Sequence, residues 1–131
     1  MIHEDAARHA APLGGAFRGQ VIVPDAPDYD RARRVFNASV DRHPALIVRP
    51  TDADDVALVV AHAQERGLPL VVRAGGHSLA GHSTADGSLI LDLSAMRGVD
   101  INAFEQTAWA DAGILAGEYT AASHPLGHGQ P

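Results

Sequence analysis

Cysteine is absent from this 131-residue chain, and so is lysine. The first absence excludes disulfides, thiolate nucleophiles and thiolate metal sites, and it leaves the redox compartment open. The second excludes a P-loop, whose glycine-rich signature ends on a lysine that reaches the phosphates. Positive charge is scarce altogether: 10 basic residues face 16 acidic ones, for a formal net charge of -6. That balance argues against nucleic-acid and anionic-membrane partners, both of which reward clustered Lys and Arg. The one basic cluster, Arg31, Arg33 and Arg34, shares a predicted helix with Asp28 and Asp30 and reads as a solvated face. No apolar run approaches the length of a membrane span, and there is no internal repeat, low-complexity block or Gly-x-Gly-x-x-Gly fingerprint. The segment 1–20 lacks the basic head and apolar core of a secretory signal, so a poorly ordered leader and a cytoplasmic location are the expectations. The length suits one domain with a modest core.

Apolar spacing over Asp28 to Val40 predicts a first helix, with Asp28 as its cap. Ala45 to Val48, between Pro44 and Pro50, reads as a short buried strand. Thr51 is the expected cap of a second helix whose inner face is Val56, Val59, Val60 and Ala63, with Arg66 and Gly67 closing it. Leu68 to Val72 returns to strand, giving a strand-helix-strand unit with parallel strands and a right-handed crossover. Leu89 to Leu93 is a third apolar strand, Val99 to Asn102 and Thr107 to Asp111 form a hairpin, and Leu115 to Ser123 starts a short helix. The fold class is therefore α+β, a small parallel sheet followed by an antiparallel element. Trp109 alternates with Thr107 and Asp111 and is expected to pack.

Chemistry concentrates in Val71-Val72-Arg73-Ala74-Gly75-Gly76-His77-Ser78-Leu79-Ala80-Gly81-His82-Ser83, an apolar strand opening into a glycine-rich loop. Glycines bring backbone close to a ligand and reach positive φ cheaply, so successive N–H groups can converge on an anion. The loop leaves the carboxyl end of a parallel strand, where open α/β sheets place ligands. The amides from Ala74 to Leu79, with the Ser78 hydroxyl, are a candidate diphosphate cradle, and Gly81, Ser83 and Gly87 shape its return. Arg73 either neutralises a diphosphate or flanks the strand end in a salt bridge. His124 and His128 have metal-ligand spacing, but Pro125 and Gly127 interrupt any helix between them and no tetrahedral set is complete, so no metal is expected.

With Gly81-His82-Ser83-Thr84-Ala85-Asp86-Gly87, Leu89-Ile90-Leu91-Asp92-Leu93-Ser94, Met96, Ala110-Asp111-Ala112-Gly113 and Gly117-Glu118 following in order, the run from Leu68 to Gly117 resembles the FAD-binding domain of the vanillyl-alcohol oxidase (PCMH-type) superfamily, in particular the berberine-bridge-enzyme-like oxidases. A weaker likeness reaches back to about Val21, so 21–131 is read as the N-terminal part of that domain. The resemblance implies FAD as cofactor, with the flavin's 8α-methyl carbon joined to a ring nitrogen of His77. Only the uncharged imidazole has a lone pair to attack with. It implies that backbone at Ala112 and Gly113 passes close to the cofactor, although a hairpin exit turn explains those two residues equally. It also implies oxidation of a small-molecule alcohol, amine or sugar by hydride transfer to the flavin. In the family the catalytic base and substrate pocket lie beyond the matched segment, so no catalytic side chain is named. The alternative expectation is a non-catalytic chain that self-associates through an incompletely covered face.

Overall fold

The computed structural model describes residues 13–127. The expected leader falls largely on residues outside that range; its described part, 13–20, packs on the body of the protein. Leu13 is buried in the core, Phe17 lies against it, and the Arg18 amide donates to the Asp55 carboxylate at 3.0 Å.

Four strands form the main sheet: β1 (Gln20–Ile22), β2 (Leu46–Arg49), β3 (Leu70–Arg73) and β4 (Leu89–Asp92). Their spatial order is β1-β2-β4-β3, with β2 and β3 both parallel to β4 and β1 antiparallel to β2. The crossover unit exists as the sequence implies, but β4 inserts between its two strands. The reason lies in burial. Leu89, Ile90 and Leu91 are apolar toward both faces, and the middle of the sheet is where packed layers cover both faces at once.

Period-two alternation divides the core. Leu46, Val48, Leu89 and Leu91 face a cluster that includes Val59 and Ala63 from the helix α2 (Ala53–Arg66). Ile47 and Ile90 face the opposite way, toward Ile22, Tyr29 and Ala32. Asp52, rather than Thr51, caps α2, its side chain accepting from the Asp55 amide at 3.0 Å. Thr51 instead donates its hydroxyl to Asp55 at 2.8 Å. Gly67 ends the helix in the left-handed region, with its N–H on the last carbonyls.

The first helix is much shorter than its apolar spacing predicts. It covers only Tyr29–Ala32, here α1. Beyond it the backbone serves other partners: the Phe36 N–H donates to Gly76 O at 3.0 Å, and Asn37 Oδ1 accepts from the Ser39 amide at 3.1 Å. An Asn side chain that bonds the backbone two residues on competes with a helix and favours a turn. Tyr29 ties the short helix down by donating its hydroxyl to Pro44 O at 2.6 Å.

A 3₁₀ turn (Leu93–Ala95) leads from β4 into an antiparallel hairpin of β5 (Val99–Asn102) and β6 (Thr107–Ala110), then α3 (Ala116–Ser123). This second unit contributes nothing to either buried strand cluster. Trp109, expected to pack, is 82% exposed, and Phe104 at the hairpin tip is 96% exposed. The hairpin is held by its ends: the Gly98 amide donates to the Asp111 carboxylate at 2.8 Å, and the Gly113 amide donates to Met96 O at 2.9 Å.

Candidate functional site

The parallel strands end together on charge. Arg49 closes β2, Arg73 closes β3 and Asp92 closes β4, with Arg73 and Asp92 directly opposite in the ladder. One Asp92 oxygen accepts from both Arg49 Nε at 2.8 Å and Arg73 Nη2 at 3.0 Å, while the other accepts from the Ser94 amide at 3.2 Å. Burial alone would raise the Asp92 pKa. The Arg49 hydrogen bond, the Arg73 charge and hydrogen bond, and the Ser94 contact outweigh it and hold the carboxyl below its ordinary value. Two guanidinium groups therefore share one carboxylate at the carboxyl end of the sheet.

Arg73 thus makes the strand-end salt bridge that one of the two sequence readings expects. Its Nη2 also donates to Ala32 O at 2.7 Å, which ties α1 to the strand end. Its Nη1 is buried with no protein partner among the described residues.

Above this cluster lies the loop. Gly76 takes a φ of +68°, and its Cβ, were there one, would lie 3.6 Å from Arg73 Cδ, so the arginine stem supports the turn from below. At Gly75 a Cβ would fall 2.5 Å from His77 Cδ2, so the imidazole rests directly on that glycine. His77 is exposed, and its ring contacts Phe36 with centroids 5.5 Å apart. Among the described residues, none of the backbone N–H groups from Gly75 to Leu79 is taken by an acceptor. Amides without a protein acceptor at the end of a parallel strand can donate to a ligand's anionic oxygen.

A cavity of about 350 Å³ borders this loop, walled by Ala74 to His77, by Arg49, Arg73, Asp92 and Ser94, and by Arg31 and Arg34. The last two are exposed, as a solvated face requires, and they also border the cavity. Arg33 does serve local acids, pairing with Asp30 at 2.8 Å and with Asp41. Arg31 and Arg34, in contrast, stand at the cavity wall. Four arginines against one carboxylate make this the positive locus of an acidic chain, which the scattered sequence positions conceal.

The far side of the loop closes on itself. Gly81 N donates to Ser78 O at 3.1 Å, His82 N to Ser78 Oγ at 3.1 Å, and Thr84 N to Gly81 O at 3.2 Å. Ser78 Oγ therefore serves its own loop as an acceptor. Leu79 is 74% exposed, while Ser83 and Thr84 are buried with hydroxyls that have no protein partner among the described residues. Gly113 packs where a Cβ would come 1.8 Å from Leu93 O, which gives that glycine a packing reason of its own; Ala112 is exposed. His128 lies outside the described residues, and among those described no group of three His, Cys, Asp or Glu is placed to hold a metal. No described helix is long and apolar enough to cross a membrane.

A glycine-rich loop at the carboxyl ends of parallel strands, followed by an antiparallel unit, places this α+β domain among those that take a ligand at the sheet end. The comparisons agree. The FAD binding domain family model matches residues 44–129, and the chain belongs to that family, which supplies the FAD-binding domain of FAD-linked oxidoreductases. It is 35% identical over 109 residues to (R)-6-hydroxynicotine oxidase of Paenarthrobacter nicotinovorans, a match covering 83% of this chain and 23% of the relative. Its fold matches the crystal structure of 6-hydroxy-D-nicotine oxidase from Arthrobacter nicotinovorans with a TM-score of 0.84 and 33% identity, over 90% of this chain and 26% of that one. It also matches BBE-like 1 of Physcomitrella patens with a TM-score of 0.76 and 26% identity, over 95% and 26% of the two chains. The chain thus spans about a quarter of the length of the relatives it matches.

The residues present fit FAD. Among the described residues the Gly75 to Leu79 amides have no protein acceptor and Arg73 Nη1 is a buried donor without a partner, and Arg31 and Arg34 line the same cavity with charge opposite to that of a diphosphate.

Proposed function

We propose that this chain supplies the diphosphate-holding loop and the flavin-anchoring histidine of an FAD-linked oxidase, with FAD joined covalently through His77. The observation that carries this reading is His77 itself. Its imidazole is exposed, has no hydrogen bond among the described residues, and rests on Gly75 at the rim of the arginine-walled cavity. A ring engaged by a carboxylate or carbonyl would be committed to orienting itself; this one keeps its nitrogens available. Bound in the whole enzyme, FAD would supply the hydride acceptor for oxidation of an alcohol, amine or sugar carbon of a small substrate. The residues described here bind and place it. The loop amides would receive its diphosphate, the arginine wall would offset that charge, and the His77 imidazole would anchor the flavin. Replacing His77 with Ala in the full-length parent tests the assignment. Flavin should then leave with the supernatant on acid precipitation, and acid-stable flavin on that variant would defeat the reading.

Exposure on the second unit supports one other reading, self-association. A two-stranded hairpin is marginal by itself, and Phe104 and Trp109 are the most exposed large apolar side chains among the described residues. Sedimentation of the purified chain separates the two: a monomer supports the flavin reading, a concentration-dependent homo-oligomer the other.

A further inference from the structure

We propose that Phe36 and Asn37 form a positioning clamp that fixes the His77 imidazole and the loop on either side of it. The inference rests on His77 being the flavin anchor, but its geometry stands independently. Two adjacent residues make three contacts with one short stretch. The Phe36 N–H donates to Gly76 O at 3.0 Å, the Phe36 ring meets the His77 ring at 5.5 Å with a 55° tilt, and Asn37 Nδ2 donates to Leu79 O at 3.1 Å. The carbonyls of the residue before His77 and of the second residue after it are therefore both held by one dipeptide. Asn37 cannot turn its amide over without loss, because Oδ1 accepts from the Ser39 amide at 3.1 Å and from its hydroxyl at 2.7 Å.

Burial decides against a merely structural role for the aromatic ring. Phe36 is 69% exposed and belongs to neither core cluster, so it contributes little to the hydrophobic stabilisation of the sheet. What it does touch is an imidazole that no hydrogen bond among the described residues orients. With Gly75 beneath and Phe36 alongside, the His77 ring loses rotational freedom before any ligand arrives, and such prior ordering is what brings reacting atoms into a near-attack arrangement. The clamp also accounts for the early end of α1, since the Phe36 amide is committed to the loop rather than to a helix.

The test is carbon- and proton-resolved NMR of the imidazoles in the purified chain at fixed pH. Phe36→Leu removes the aromatic ring current and should displace both His77 ring cross-peaks. Phe36→Tyr should restore them, and Phe104→Leu, at the remote hairpin tip, should leave them in place. Asn37→Asp keeps the acceptor used by Ser39 but removes the donor to Leu79 O. It should speed hydrogen exchange of the Gly81, His82 and Thr84 amides about fivefold, as expected for one lost hydrogen bond, without changing Val40. His77 peaks unmoved by Phe36→Leu, or moved equally by Phe104→Leu, would overturn the clamp. So would loop amides indifferent to Asn37→Asp, or loss of the β4 amide pattern in Phe36→Leu, which would make the residue structural. None of these outcomes depends on whether His77 carries flavin, which acid precipitation reads separately.

Discussion

Replacing Asp92 with Asn is the sharpest perturbation this structure offers. The Asp92 side chain is 4% exposed and that of Arg73 6%, whereas Arg49 is 26% exposed. Removing the carboxylate charge leaves two guanidinium groups facing each other, one of them nearly dry; a neutral amide can still offer its oxygen to both, but only by turning its NH2 onto the Ser94 amide. Breaking a buried pair in this way costs about 3–5 kcal/mol, mostly as the penalty of the charge left behind. Against a typical domain stability of about 5–15 kcal/mol that is a large fraction. At a urea slope of about 2 kcal/mol per M, the unfolding midpoint should fall by about 2 M. The exposures also rank the partners. Arg73→Met should cost less than Asp92→Asn, because Asp92 keeps Arg49 and the Ser94 amide. Arg49→Met should cost least, about 1 kcal/mol, because water screens that contact. Urea titrations followed by far-UV circular dichroism give all three numbers. An Arg49→Met loss equal to or larger than that of Asp92→Asn would refute the reasoning, since the carboxylate would then not be the centre of the cluster.

The folded-state pKa values of Asp92 and Asp55 are both depressed, so each contributes stability that is fully present above the ordinary carboxylate value near 3.9 and is lost as pH falls through the lower folded value. Urea midpoints should accordingly receive no slope from these groups between about pH 5 and 8 and drop below about pH 4, with Asp92→Asn showing a shallower acid limb; an unchanged acid limb would contradict this. Gly76→Val, at a φ of +68°, should impair flavin retention in the parent protein far more than Ser78→Ala, which removes one hydroxyl bonded within the loop and worth about 1 kcal/mol. Equal losses in a flavin titration would argue against a backbone cradle. The 131-residue chain alone should bind FAD weakly, because a cavity of about 350 Å³ cannot enclose the whole cofactor and the uncovered ring forfeits about 25 cal/mol for each Å² left in water. Submicromolar one-to-one binding by isothermal titration would show otherwise.

Much of this architecture is legible in the residues. Apolar runs such as Leu89-Ile90-Leu91 mark buried strands, the Arg66-Gly67 ending marks a helix stop, and Gly75-Gly76-His77 marks the loop, because each is set by local geometry. What the sequence conceals is non-local. Nothing near Phe36 announces that its amide belongs to Gly76, forty residues on, so apolar spacing overstates α1. Arg31 and Arg34 look like ordinary solvated charges, and only the folded chain shows that both also border the cavity beside the loop. Trp109 follows strand alternation, but alternation says only that one hairpin face is apolar, not that something lies on it. One signal was available and unused: Arg49, Arg73 and Asp92 each end an apolar strand run with a charge, and parallel strands bring such ends together.

The same three residues explain why site and fold cannot be altered separately. Arg73 pairs with Asp92, holds α1 through Ala32 O, and supports Gly76 with its stem. The segment that follows α1 carries Phe36 and Asn37, which reach back to the carbonyls flanking His77. The sheet end therefore grips the loop twice, from beneath through the arginine and from the side through the clamp, and both grips pass through Arg73. Arg73→Met should consequently do what Arg49→Met does not: displace the His77 ring resonances as well as lower stability. A variant that lost stability with His77 unmoved would separate the two grips and show that the loop is held from the side alone.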